Sequence, residues 1–83
     1  MAMAASTLRG LPTPELALLA RAATSELARR SEPEAFSELL DIQQHLGVSL
    51  GDAARTLAAH GSWSSVAELS GTTKQAAWSR WSG

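Results

Sequence analysis

A set of apolar residues between positions 39 and 57 recurs at steps of three or four, the spacing that keeps side chains on one face of an α-helix. The members of this apolar stripe are Leu39, Ile42, Leu46, Leu50, Ala53 and Leu57. The stripe passes Gly47 and Gly51, and a glycine inside a helix costs about 1 kcal/mol relative to alanine. Because the register continues unchanged through both glycines, the sequence favours one long helix over residues 33–60.

The two glycines leave a second interpretation open. In the long helix they lie four residues apart on one face, where they would let another helix approach closely. In the alternative, the segment "HLGVSLGD" is a break, in which Gly47 ends one helix and Ser49 with Asp52 caps another. The whole chain would then have five helices instead of four.

Another amphipathic helix is predicted upstream, over residues 13–30. Thr13 suits its N-cap and Pro14 its first helical position, where a missing N–H costs nothing. Its apolar positions at helical spacing are Leu16, Leu19, Ala20, Ala23 and Leu27. The pair Ser31 and Glu34 has the spacing of a capping box for the long helix. Residues 1–12 lack periodicity, so we expect a flexible N-terminal arm there.

The last part of the chain, residues 61–83, is predicted to hold two short helices. Gly61 ends the long helix after His60, and Ser62 begins "SWSSVAEL". The turn "SGT" precedes a final helix, "TKQAAWSRW". No segment shows strand alternation with β-branched residues. The fold class is therefore predicted to be all-α, with four to five helices: long N-terminal scaffold helices followed by a C-terminal helix-turn-helix.

The spacing of small residues in this last part is that of a helix-turn-helix. Val66 and Ala67 supply an apolar and then a small residue where the second helix crosses the first. Gly71, four residues on, supplies a turn residue that tolerates positive φ. Ala77, six residues later, supplies the small residue that faces the first helix. The positions beside the turn glycine are usually apolar but are polar here, so we expect Leu69 to provide some of that packing.

The stretch "GSWSSVAELSGTTKQAAWSRW" also resembles small actinobacterial helix-turn-helix proteins, some of them nucleoid-associated. The matching residues are Ser62, Trp63, Val66, Ala67, Gly71, Thr73, Lys74, Gln75, Ala76, Ala77, Arg80 and Trp81. The resemblance covers about residues 35–82 and is specific only in the last twenty. It implies DNA binding by a dimer, without fixing a target sequence.

The residue types in the final helix suit contact with double-stranded DNA. A recognition helix presents its first turn to base edges in the major groove. Lysine can donate to guanine, glutamine can pair with adenine, and a threonine or alanine methyl can meet a thymine methyl. Arg80 would bind phosphate, and the free N–H groups at the start of the preceding helix could do the same. The predicted DNA-binding residues are Ser62, Ser64, Thr72, Thr73, Lys74, Gln75, Ala76, Trp78 and Arg80.

Several of these residues have an alternative structural role. Thr72 and Gln75 have capping-box spacing, and Thr73 could serve only as a cap. Trp63 and Trp81 are expected in the core, because Trp81 shares the face of Ala77. Trp78 follows Ala77 by one residue and should be partly exposed, either against DNA or packed on the long helix.

Size and charge limit what such a chain can be. Its 83 residues allow one domain, and a chain of this size buries only about 60% of its unfolded surface, so it often borrows core from a second copy. The net charge of −1 argues against a nonspecific polycation. Counting acids against bases gives +2 for residues 1–30, −4 for residues 31–60 and +1 for residues 61–83. Glu32, Glu34, Glu38 and Asp41 form the acidic part, expected as a solvated face or as partners for the arginines of the first helix.

Other functional classes find little support in the sequence. There is no cysteine, and the two histidines lie fifteen residues apart, so no metal site is expected. No nucleophile elbow, phosphate-binding glycine loop or paired-carboxylate motif is present, so we expect no enzyme, cofactor or small-molecule ligand. No apolar run reaches the ~18–20 residues of a membrane span and no secretory signal is evident, so we expect a cytoplasmic, nucleoid location.

These observations predict three regions: a flexible arm over residues 1–12, a helical scaffold and dimerisation region over 13–60, and a helix-turn-helix over 61–83. The expected function is DNA binding through the major groove by a homodimer, as a nucleoid-associated protein or transcriptional regulator. The leucine stripes of both long helices would form core or a dimer seam. The alternative is a helical protein–protein interaction module, of adaptor or antitoxin-like type.

Overall fold

The structure, a computed structural model, describes residues 5–83, with side chains from residue 7, and this range folds into α-helices without a strand. The helices are α1 (Ala5–Arg9), α2 (Thr13–Arg29), α3 (Pro33–His60), α4 (Trp63–Ser70) and α5 (Lys74–Trp81). The all-α prediction is confirmed. The chain divides into two units, Met1–Asp41 and Ile42–Gly83, and α3 contributes to both.

Helix α3 is continuous through both glycines, so the long-helix prediction is confirmed and the break is wrong. The fifth helix is instead α1, which lies in the predicted arm. Backbone bonds from Gly10 to Thr7 and from Leu11 to Leu8 close its last turn. The arm's first four residues lie outside the described range, and its flexibility stays a prediction.

The starts of α2 and α3 differ from the predicted caps. Thr13 is the first residue of α2, whose N-cap is Pro12, so no side chain caps this helix. Helix α3 begins at Pro33. The carbonyl of Glu32 accepts from the backbone N–H of Phe36, which puts Glu32 at the N-cap. Ser31 is therefore one residue too early for the predicted capping box, and no hydrogen bond of the described side chains joins it to Glu34.

The first unit leaves most of its side chains accessible. No residue of α2 is buried, and Leu18 is 64% exposed. Arg29 and Arg30 both bond to Glu26 on the same helix, which holds the pKa of that carboxyl below its usual range. These arginines therefore pair within α2. The predicted acidic cluster, Glu32, Glu34, Glu38 and Asp41, is exposed throughout.

The second unit has a small core made almost entirely of short side chains. Its buried members are Ala54 of α3, Val66 and Ala67 of α4, and Ala77 of α5. Partly buried residues pack around them: Ala58, Trp63 and Trp81. The core roles predicted for Val66, Ala67 and Ala77 are confirmed, and both core tryptophans lie at its edge. The predicted packing role of Leu69 is wrong, because this side chain is 78% exposed.

Within Ile42–Gly83, neither glycine of α3 receives a neighbouring helix. Gly47 has open space where a side chain would be. Gly51 is buried, but it is covered by the guanidinium of Arg55, which lies 3.2 Å from a Cβ built at that position. The expectation of a close helix approach at these glycines is therefore wrong within this unit.

Candidate functional site

Helices α4 and α5 are joined by a tight three-residue turn, Gly71–Thr72–Thr73. Gly71 has φ 70°, the left-handed conformation predicted for it. The backbone N–H groups of Gly71 and Thr72 both bond to the carbonyl of Ala67, which satisfies the end of α4. Ser70 donates to the carbonyl of Val66 over 2.8 Å. These two backbone N–H groups and the Ser70 hydroxyl thus satisfy carbonyl groups at the end of α4.

Both short helices begin at a side-chain cap. The Ser62 hydroxyl accepts from the Ser65 backbone N–H over 3.3 Å, and the Thr73 hydroxyl accepts from the Ala76 N–H over 3.1 Å. The capping function of Thr73 is therefore observed. The Thr72–Gln75 capping box is wrong, because the hydroxyl of Thr72 instead donates to the carbonyl of Thr73.

One face of α5 is fixed against α4 and the opposite face is free. Ala77 is 1% exposed and lies against α4. At 100° per residue, Gln75 is about 160° from Ala77 and Trp78 about 100° away. Gln75 and Ala76 are exposed, and Trp78 keeps 53% of its surface accessible. The buried alanine therefore determines which residues of α5 point outward.

Four of the predicted DNA-binding residues line one shallow cavity of about 490 Å³: Thr73, Lys74, Gln75 and Trp78. The cavity has a hydroxyl, an ammonium, an amide and an indole around it, and no carboxylate. The backbone N–H groups of Lys74 and Gln75 are in the first turn of α5, where they have no intrahelical acceptor. Such a combination suits a ligand that is anionic and also presents flat or apolar surface.

The remaining predicted site residues lie outside this cavity. The Arg80 guanidinium stacks over the Trp81 ring, 5.0 Å from its centroid. Such stacking leaves the N–H groups at the edge of the guanidinium free to donate. Ser62 and Ser64 are at the start of α4, and Thr72 is in the turn. Ser79, which is not among the predicted site residues, is also exposed, one turn after Gln75. A count of helical angle from Ala77 identifies it.

The site's charge is positive but small. Residues 71–83 carry Lys74 and Arg80 and no acidic residue. The nearest acid in sequence is Glu68, exposed on α4. Within residues 5–83, no group of three or more histidine or carboxylate side chains is placed to hold a metal ion.

None of the helices in the described chain combines the length and apolar character needed to cross a membrane. No protein-family model, no curated protein and no solved structure matches the chain.

Proposed function

We propose that the chain binds double-stranded DNA, with α4 and α5 acting as a helix-turn-helix and α5 entering the major groove. The observation that best supports this proposal is the cavity that Lys74, Gln75 and Trp78 line on the exposed face of α5. Lysine and glutamine there can donate to base edges, and the indole can lie on sugar or on a thymine methyl. The resemblance to actinobacterial helix-turn-helix proteins supports the same function.

Phosphate contacts would hold the helix in the groove. Arg80 supplies a guanidinium on the α5 side, and the first-turn N–H groups beside Ser62 and Ser64 supply donors on α4. Two cations for each chain give weak binding, because affinity rises with the number of phosphates neutralised. A homodimer doubles these contacts. The small number of cations, and the modest affinity that follows from it, suit a nucleoid-associated protein or regulator that occupies many sites.

The primary test is duplex binding by gel shift at low and moderate salt. A dimer that neutralises about four phosphates should lose roughly a hundredfold in affinity between about 50 and about 200 mM salt. Absence of binding at low salt, or binding that salt does not weaken, would contradict the proposal.

A paired variant tests the contact face. Replacing Lys74 and Arg80 together by alanine should weaken binding at least about tenfold. The matched control replaces Arg9 and Arg21 by alanine, which removes the same two charges from the first unit. An equal loss in both variants would show that net charge, and not this face, determines binding. Gln75→Ala should relax base preference while leaving the salt dependence unchanged.

A second candidate is a helical protein–protein interaction module, of adaptor or antitoxin-like type. Two observations favour it: Leu69 is 78% exposed and Trp78 is 53% exposed, so apolar surface is available on both short helices. The salt-dependent duplex experiment separates the two candidates, since an interaction module would bind no duplex at either salt concentration.

A further inference from the structure

The second unit leaves an apolar stripe uncovered on α3. Within Ile42–Gly83, the exposed fractions are 36% for Ile42, 56% for Leu46, 48% for Leu50 and 41% for Leu57. These side chains share one face, because they recur at helical spacing. Ala54, on a neighbouring face, carries the contact with α4 and α5. The core of this unit therefore uses one side of α3 and leaves its most apolar side accessible.

The exposed stripe continues into a groove. Leu50 and Leu57 border a depression of about 280 Å³ whose other walls include Leu69 and Trp81. Its lining is almost wholly apolar. Apolar residues exposed singly are ordinary on a protein surface, but a continuous patch of them marks an interaction site.

The spacing of the stripe is self-complementary. Consider two copies of α3 packed antiparallel in the register that sets Ile42 of one copy opposite Leu57 of the other. In this register, two residues lie opposite each other when their residue numbers add up to about 99. Ile42 then faces Leu57 of the second copy, and Leu46 faces Ala53 of the second copy. Leu50 falls beside the two-fold axis. A self-complementary patch is what a two-fold symmetric interface requires, since each copy presents the same surface.

The charges near the stripe are compatible with this antiparallel arrangement. The stripe itself contains no charged residue between positions 42 and 57. His45 and Asp52 are seven residues apart on one flank, and their positions sum to 97. An antiparallel pair sets His45 opposite Asp52 of the second copy, whose carboxylate also bonds to Arg55 of its own helix. A parallel two-fold pair would instead put the two copies of this flank on opposite sides of the interface, where His45 and Asp52 could not meet.

We infer that a second copy of this chain covers the stripe, forming an antiparallel two-fold dimer centred near Leu50. The inference rests on the proposed function in one respect: it assigns the interface of the homodimer that would bind DNA. Self-association is measured without DNA, so failure of DNA binding and failure of the interface remain distinguishable.

Sedimentation equilibrium with three proteins tests the interface. The native chain should be dimeric, and Leu50→Glu should be monomeric with its helical circular dichroism retained. The matched control is Val48→Glu, because Val48 is also exposed, at 60%, but lies about 160° from Leu50 on the opposite side of α3. This control should remain dimeric. A native chain that is monomeric at high concentration overturns the inference, as does a Leu50→Glu dimer or a monomeric Val48→Glu.

Crosslinking tests the direction and does not depend on how Leu50→Glu folds. The native chain has no cysteine, so single-cysteine variants report one position each. With a short bis-maleimide, Leu50→Cys should crosslink to itself. Ile42→Cys should crosslink when mixed with Leu57→Cys but not alone, because two Ile42 positions would lie about 22 Å apart along the helices. Efficient self-crosslinking of Ile42→Cys, or none of Leu50→Cys, would overturn the antiparallel pairing.

Discussion

Arg55 of α3 donates a hydrogen bond through Nη1 to the carbonyl oxygen of Trp81, the last residue of α5, over 2.9 Å. Its Nη2 bonds to Asp52 on α3 over 2.6 Å. One guanidinium therefore connects the long helix to the end of α5. A cation is also favourable at that end, where the helix dipole is negative.

This connection predicts a measurable loss in Arg55→Ala. Removing the guanidinium leaves the Trp81 carbonyl without this donor, and the expected cost is about 1 kcal/mol in the free energy of unfolding. Urea denaturation measures it. Arg21→Ala is the control, an exposed arginine on α2 whose removal should cost less than about 0.5 kcal/mol. Equal losses would show that the Arg55 bond adds nothing to stability.

The two glycines of α3 should respond differently to alanine. Gly47→Ala should stabilise the protein by about 1 kcal/mol, because a mid-helix glycine is replaced in open space. Gly51→Ala should gain less, since its Cβ would meet the Arg55 guanidinium at 3.2 Å and displace it. Thermal unfolding of both variants compares them directly. A larger gain at Gly51 than at Gly47 would contradict this explanation.

The contact between α4 and α5 should tolerate no added volume. Ala77→Leu should cost about 1–3 kcal/mol, because Ala77 is 1% exposed and an inserted side chain must push the helices apart. Ala76→Leu, its exposed neighbour, should change stability little. The free energy of unfolding in urea distinguishes them, and a tolerated Ala77→Leu would mean that the two helices are not in close contact.

At Thr73 the hydroxyl group caps α5, whereas the methyl group is available for contact with DNA. Thr73→Ala should cost about 1 kcal/mol, because the Ala76 N–H loses its acceptor. Thr73→Ser keeps the hydroxyl and should retain stability while removing the methyl group. If Thr73→Ser unfolds as easily as Thr73→Ala, the hydroxyl is not the cap.

Much of the fold was predictable where a pattern repeats or a residue type is nearly obligatory. The register of the stripe predicted α3 through Gly47 and Gly51, because six apolar positions outweigh two local glycine penalties. Gly71 and Ser62 were predictable from backbone needs that few other residues meet. The spacing from Ala67 through Gly71 to Ala77 correctly predicted that both alanines are buried.

Other features depend on geometry that the sequence does not encode locally. Helix α1 has only five residues, too few for a periodic signal. At the start of α3, both Ser31 and Glu32 precede Pro33, and only the backbone hydrogen bonds show that Glu32 is the N-cap. The expected role of Leu69 was wrong because α4 leaves this side chain 78% exposed, at the edge of the apolar groove and not in the core. At the candidate site, the cavity lined by Lys74, Gln75 and Trp78 could be predicted only if the orientation of α5 about its own axis were known. Burial of Ala77 determines that orientation.

The distribution of the tryptophans has a practical consequence. Trp63, Trp78 and Trp81 all belong to the second unit, and the chain has no tyrosine. Intrinsic fluorescence therefore reports on Ile42–Gly83 alone, while far-ultraviolet circular dichroism reports on every helix. If both signals change at the same urea concentration, the two units unfold as one cooperative system; separate midpoints would show that they unfold independently.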